Sequence, residues 1–392
     1  MTSARRFPLR TFVGAASAAL LASSLVLLPT SSSAETATAS SERSSESAAA
    51  VRAVQQKQKL VSSQRANPAS RLSGSWGIYK GPADQSWKGY LAASSTNKKR
   101  LQWFVDQPKA AWYGSWVPNG EVTKRIKRYI ELSRAGDPNA LVQLTIFRMN
   151  PWYNESRTKV PTKAQIASYK KWIRLSAKAI GRTRTAVYLQ PDSTFLRTVP
   201  NFKLSASLIR YAAKQYGKLP NTLVYLETGG YDWPAPGQGG VKEAVRLLRA
   251  QGMKYADGVV TNTTHYNKTS WDVKRIAAIS KAFARRGKNG VKGVVNTSSN
   301  GKGFVFGDYR GSDPDHAKVC TSKARKGTCV TFGIPPTTDV ANPKWGMSAK
   351  TRRLAQKYVD AYAWVGRPWL YRQSSPFQLG RTLQMIRTTP YR

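Results

Sequence analysis

Two carboxyl groups in this chain stand where a parallel α/β fold places its chemistry. Asp192 ends the run Ala186-Val187-Tyr188-Leu189-Gln190-Pro191. The proline turns the chain out of a strand and presents the next carboxyl at the strand end, where partial burial would raise its pKa and suit it to donating a proton. The same Pro-Asp-Ser sequence also fits a helix N-cap. Glu227 lies in Tyr225-Leu226-Glu227-Thr228-Gly229-Gly230-Tyr231-Asp232-Trp233. Its glycines allow a tight backbone path and close ligand approach, and Trp233 could stack on the apolar face of a sugar. A loop with a packed tryptophan explains those residues equally well. A third acidic group, Asp308, Asp313 and Asp315, could gather calcium, but its spacing is not that of an EF-hand and a solvated turn is the stronger reading.

Positioning these groups requires regularly spaced strands. Short β-branched runs at 140–147, 185–189, 222–226, 258–261 and 293–295 alternate with helical patterns at 163–180, 204–216, 241–251 and 271–286. In the first helix Ile166, Tyr169, Ile173 and Ala177 recur at three-to-four spacing. Repeated strand–helix units predict a parallel sheet, open or closed into a barrel. Directly after the strands come Gln190-Pro191-Asp192, Glu227-Thr228-Gly229, Asn262-Thr263-Thr264-His265-Tyr266 and Asn296-Thr297-Ser298. Ligands bind at the carboxyl ends of such strands, so four clusters in a row predict a long site across a barrel mouth. Twelve Trp and 18 Tyr supply aromatics for a polysaccharide groove, although core packing accounts for most of them.

Several segments, in order, resemble those of glycoside hydrolase family 6, the cellobiohydrolases and endoglucanases. They are Gln107-Pro108-Lys109-Ala110-Ala111-Trp112-Tyr113-Gly114, Leu189-Gln190-Pro191-Asp192-Ser193, Tyr225-Leu226-Glu227-Thr228-Gly229 with Trp233, Gly258-Val259-Val260-Thr261-Asn262 with Tyr266, Asn296-Thr297-Ser298-Ser299-Asn300-Gly301, Pro336-Thr337-Thr338, and Asp360-Ala361-Tyr362-Ala363-Trp364-Val365. The resemblance runs from about Trp76 to the end. It implies a distorted parallel β/α barrel and inverting hydrolysis of β-1,4-glucan, cellulose or a related β-glucan. Carried over by position, Asp192 is the general acid, and Glu227, Trp112, Trp233, Asn262, Asn300 and Trp364 contact substrate.

The chain also departs from the family pattern. Arg148-Met149-Asn150 stands where the family has Arg-Asp-Cys, and Gly230 where it has His. Trp364-Val365-Gly366-Arg367-Pro368-Trp369-Leu370-Tyr371-Arg372 replaces a segment carrying carboxylates, one of them the family's proposed base. Inverting chemistry needs an acid and a base roughly 6.5–9.5 Å apart, and Glu227 or Asp232 would have to supply the second. The alternative is a catalytically degenerate scaffold that binds polysaccharide or a cell-wall polyanion.

Residues 1–34 read as a signal peptide: Arg5, Arg6 and Arg10, then an uncharged apolar run, then Ser32-Ser33-Ala34. A secreted, extracellular protein is expected, with no membrane span after cleavage. Residues 35–74 are poor in aromatics and read as a disordered linker, with a polar helix conceivable over 47–64. The catalytic domain is placed at 75–392. Cys320 and Cys329, the two cysteines, are expected to form a local disulfide. With His265 and His316 they cannot make a zinc site, and no metal or cofactor is expected. The chain carries 63 Lys and Arg against 20 Asp and Glu, net +43. Such a surface attracts polyanions, including anionic cell-wall polymers. The basic residues are spread along the chain rather than gathered in one arm, so specific nucleic-acid binding is not expected. A monomer acting on β-glucan is the expectation.

Overall fold

A computed structural model describes residues 72–149, 159–284, 290–323 and 327–392. The expected signal segment, the polar helix over 47–64 and nearly all of the linker lie outside these residues, as does Asn150. Leu72, on the linker side of the expected boundary, is fully buried, and its carbonyl accepts from Trp76 Nε1 at 2.6 Å. The folded body therefore includes residues that composition alone assigned to the linker.

Among the described residues the elements run α1 (Gln85–Ala92), α2 (Ser95–Val105), β1 (Ala111–Gly114), α3 (Val122–Arg134), β2 (Val142–Phe147), α4 (Lys163–Ile180), β3 (Thr185–Leu189), α5 (Phe202–Tyr216), β4 (Thr222–Glu227), α6 (Gly240–Gln251), β5 (Gly258–Thr261), α7 (Thr269–Ala284), β6 (Lys292–Asn296), α8 (Ala349–Tyr358), β7 (Val359–Ala363) and α9 (Leu379–Thr388). The strands form a seven-stranded sheet in sequence order, every neighbouring pair parallel. Helices follow because their termini are specified locally. Thr162 and Gln165 form a capping box on α4, and Asn201 accepts from Leu204 N at the start of α5. Each such cap satisfies backbone donors that the helix leaves open.

The sheet curls until its edge strands meet. Lys109 and Trp364 form a parallel bridge, Ala110 N donates to the Trp364 carbonyl at 3.0 Å, and Trp112 Nε1 donates to the Val365 carbonyl at 2.6 Å. The result is the distorted parallel β/α barrel expected from the sequence. Strand side chains alternate between two cores, as the pleat requires. Val142, Leu144, Ile146, Val187, Leu189, Val224, Leu226, Val259 and Val295 pack outward with the helices. Ala186, Tyr188, Leu223, Tyr225, Val260, Val294, Ala361 and Ala363 pack together as the barrel interior. Burial on both faces explains why these strands read as near-continuous apolar runs. A separate aromatic cluster of Phe104, Phe332, Trp364 and Trp369 lies by the β1–β7 seam. Cys320 and Cys329 are joined in a disulfide.

Candidate active site

The pleat that fills the barrel interior also sets the mouth. Continuing the interior row of β4 one position past Tyr225 brings Glu227 inward, and the strand-end residues Gln190, Asn262 and Asn296 are all buried around it. Gln190, Asp192 and Asn262 take positive φ of 57°, 60° and 64°, a conformation costly for a residue with a Cβ and concentrated at functional turns.

Asp192 occupies the N-cap position of the short helix Ser193–Arg197, yet its side chain makes no capping bond. Its Oδ1 instead accepts from Thr264 Oγ1 at 2.7 Å, across the mouth from the loop after β5. Among the described residues Oδ2 accepts nothing. Burial pushes the Asp192 carboxyl above its ordinary value, and Asp315 adds to this, against the lowering effects of Thr264 and His265. A free, partly shielded oxygen with raised proton affinity is what a proton donor requires.

Glu227 is 1% exposed. Its Oε1 accepts from Gly229 N at 2.6 Å, and Ser193 Oγ lies 3.2 Å from Oε2 and donates to the Glu227 carbonyl at 2.9 Å. Burial, reinforced by the charge of Asp192, raises its pKa to about 8. Glu227 is therefore mainly a neutral, hydrogen-bonded acid at neutral pH, which makes it a poor base. Gly229 makes this possible. It sits at φ +76°, where a Cβ would run into the Trp233 carbonyl, and its own carbonyl accepts from Asn262 N at 2.8 Å.

Asp232 is consumed as well. It accepts from Asn267 Nδ2 at 2.7 Å and Phe306 N at 2.7 Å, and bonds His265 Nδ1 at 2.7 Å. Burial opposes its charge, but the His265 bond and the two further donors hold its pKa below the ordinary value. It is a fixed anion that orients His265. The His265 ring lies between Trp233, at 5.2 Å and 6° to its plane, and Phe306, at 4.7 Å. Phe195 meets Trp233 edge-on at 4.8 Å. Trp233 is thus in the mouth, with one face covered by imidazole. Its loop is pinned from α7: Arg275 donates to the Tyr231 and Trp233 carbonyls at 3.3 and 3.1 Å, and Asp272 accepts from Tyr231 N at 3.0 Å.

Three expected substrate contacts are corrected by their surroundings. Asn262 Nδ2 donates to the Asn296 and Asn267 carbonyls at 3.2 and 3.3 Å, and its Oδ1 accepts from Asn267 N at 3.0 Å. Asn300 is buried, and its Nδ2 donates to the Asn267 carbonyl at 2.8 Å and Thr269 Oγ1 at 3.1 Å. These amides staple strand ends and loops rather than face a ligand. Trp364 is 0% exposed, stacked on Phe332 at 4.7 Å, with its Nε1 on the Ile334 carbonyl at 3.0 Å. It belongs to the core. Trp112 is half-buried and lines a cavity beside the β1–β7 seam, where its ring carries the Arg367 guanidinium at 4.5 Å. Sequence reasoning missed Thr264 and His265 as neighbours of the site and Arg367 as the partner of Trp112. Thr264 and His265 lay in a noted strand-end cluster, and Arg367 lay in the segment noted for replacing the family's carboxylates, with no signal there of its place on Trp112. Among the described residues no group of three or more His, Cys, Asp or Glu could hold a metal, and no helix is long and apolar enough to cross a membrane.

A curled parallel barrel with the half-buried Asp192 and the buried Glu227 at the carboxyl ends of its strands is the arrangement of an α/β-barrel enzyme site. The profile of "Glycosyl hydrolases family 6" matches residues 78–368, and the chain belongs to that family. It is 26% identical over 231 residues to Endoglucanase A of Cellulomonas fimi, a match covering 58% of this chain and 47% of that protein. The chain thus spans about half the length of this curated relative. The endoglucanase Cel6 of Mycobacterium tuberculosis, solved with a thio-linked cellobiosyl cellobioside, superposes with TM-score 0.61 at 20% identity, over 80% of this chain and 97% of that one. The catalytic core of the cellobiohydrolase Cel6A from Chaetomium thermophilum gives 0.58 at 17%, over 82% and 98%. These structural likenesses speak to the fold.

Proposed function

We propose that the protein is a secreted glucanase that hydrolyses β-1,4-glucosidic bonds of cellulose or a related β-glucan by an inverting mechanism, with Asp192 as general acid. The observation that carries this reading is the Asp192 carboxyl: presented at a strand end, oriented by Thr264, raised by burial, and not spent on capping. Membership of a glycosyl hydrolase family and the endoglucanase relative support the same reaction class. Asp192 would protonate the departing glycosidic oxygen. Neutral Glu227 beside it adds no negative charge, while fixed, ionised Asp232 holds the His265–Trp233 wall against which a sugar would lie. Of the carboxylates near Asp192, Glu227 and Asp232 are committed. Asp315 is exposed and adds to the raised proton affinity of Asp192. The signal at 1–34 would bring the enzyme, as a monomer, to polymeric substrate outside the cell, where its net charge would also give weak binding to anionic wall polymers.

The test is release of reducing sugar from soluble β-glucans by the wild type and Asp192→Asn. Loss of a positioned acid costs about 10²- to 10⁴-fold. Unchanged turnover in the variant would remove Asp192 from the mechanism. Wild-type protein that binds these glucans without cleaving them would favour the degenerate binding scaffold.

A further inference from the structure

Beside the β1–β7 seam lies a cavity of about 600 Å³ lined by Trp112, Trp116, Lys109, Lys124 and Arg367 among others. Arg367 is the anomaly in it. Its Nε is sealed from solvent and has no acceptor. Among the described residues no carboxylate or carbonyl pairs with its guanidinium, which rests only on the Trp112 ring. Burial lowers its pKa to about 9, opposed by the charge of Asp84, so at neutral pH it remains a cation. A guanidinium whose Nε is cut off from water with no acceptor is costly unless something completes it. The other charges of the cavity wall are largely committed. Glu121 pairs with Arg125 at 2.6 Å, Asp84 accepts from Ser86 N at the start of α1, and Lys109 Nζ donates to the Phe104 and Gln107 carbonyls.

Arg367 is also registered against the acid. Its backbone N donates to Gln373 Oε1 at 3.0 Å, Gln373 Nε2 donates to the Thr264 carbonyl at 3.3 Å, and Thr264 holds Asp192. The cavity has room for one or two sugar units. Trp116 is 47% exposed, with its ring laid on Gly114 where any side chain would displace it. That is a platform for a sugar face. Guanidinium forks match planar oxyanions with two parallel hydrogen bonds.

Building on the glycan-hydrolase reading above, we propose that this cavity is a subsite for an acidic sugar unit, whose carboxylate or phosphoryl oxygens complete Arg367 while its ring packs on Trp116. The enzyme then prefers an anionic β-glucan over a neutral one. The basic surface acts in the same direction by raising the local concentration of such polymers.

Calorimetric titration of the full chain with cellobiouronic acid, cellobiose 6′-phosphate and cellobiose tests this. At least one acidic disaccharide should bind at least tenfold more tightly than cellobiose, and the better of the two identifies the oxyanion. Arg367→Gln should erase the margin. Equal affinity of the wild type for all three sugars would overturn the proposal without any variant, as would a margin that survives in Arg367→Gln. Asp192→Asn should keep the margin, so failure of the acid assignment and failure of the subsite give different results.

Discussion

Replacing Glu227 with Gln makes the buried carboxyl non-titrating at almost constant shape. The amide oxygen can still accept from Gly229 N, now at 2.6 Å, while the amide NH2 takes the place of Oε2 and can donate to Ser193 Oγ. In the wild type the pKa rises from 4.5 to about 8 on folding, first through burial and then through the charge of Asp192. Between those values the folded protein binds a proton that the unfolded chain has released, so stability falls as pH rises. The favourable contribution is complete below 4.5 and gone above about 8. At about 1.4 kcal/mol per pH unit, the window is worth up to about 5 kcal/mol. Urea unfolding followed by tryptophan fluorescence, from about pH 5 to about pH 9, measures it. The wild type should lose several kcal/mol relative to Glu227→Gln across that range, and less in the Asp192→Asn background, where one cause of the shift is removed. A wild-type-minus-variant difference that stays flat to within about 1 kcal/mol would refute the claim that Glu227 is a neutral acid in the folded protein.

Two further outcomes follow from packing. Trp364→Phe should cost about 2–4 kcal/mol by leaving a cavity against Phe332 and an unpaired Ile334 carbonyl, while the affinity for cello-oligosaccharides, read by calorimetry, stays that of the wild type; a weakened affinity would return Trp364 to the substrate groove. Cys320→Ser should lower stability by about 2–3 kcal/mol, the loop-closure contribution for a bridge spanning nine positions, and unfolding of the reduced wild type should match it.

How far the fold can be read from sequence differs from element to element, for physical reasons. α4 and strands β3 and β5 fall where the sequence pattern predicts them, because parallel strands buried on both faces are apolar without interruption and α4 carries a clear apolar stripe and a capping box. β1 and β7 escape the pattern. One is four residues of Ala-Trp-Tyr-Gly, and the other holds buried Asp360, which accepts from Tyr225 OH at 3.0 Å inside the barrel. α8, with Thr351 and Ala355 its buried positions, has too narrow an apolar face to announce itself. Strand-end position made Asp192 and Glu227 conspicuous. What each does there depends on partners from other elements: Thr264 after β5, Ser193 after β3, Gly229 in its positive-φ turn.

Residue type misled at Asn262, Asn300 and Trp364 for one shared reason. The side chains that grip a sugar, an amide with paired donors and acceptor or a flat indole, are the same ones that staple strand ends and fill an aromatic core, and only burial separates the uses. The mouth of this barrel spends its amides on itself. Asn296 Oδ1 alone accepts from Val365 N and Gly366 N at 2.9 and 3.0 Å while its Nδ2 donates to the Asn262 carbonyl at 2.7 Å. A mouth stapled in this way is rigid, which suits a proton donor that must meet one oxygen in one geometry. It also leaves few polar groups at the centre with which to choose among glycans. Discrimination must then come from the rim, where side chains remain uncommitted, and on the β1–β7 side the uncommitted groups are a cation on an indole and a half-exposed tryptophan.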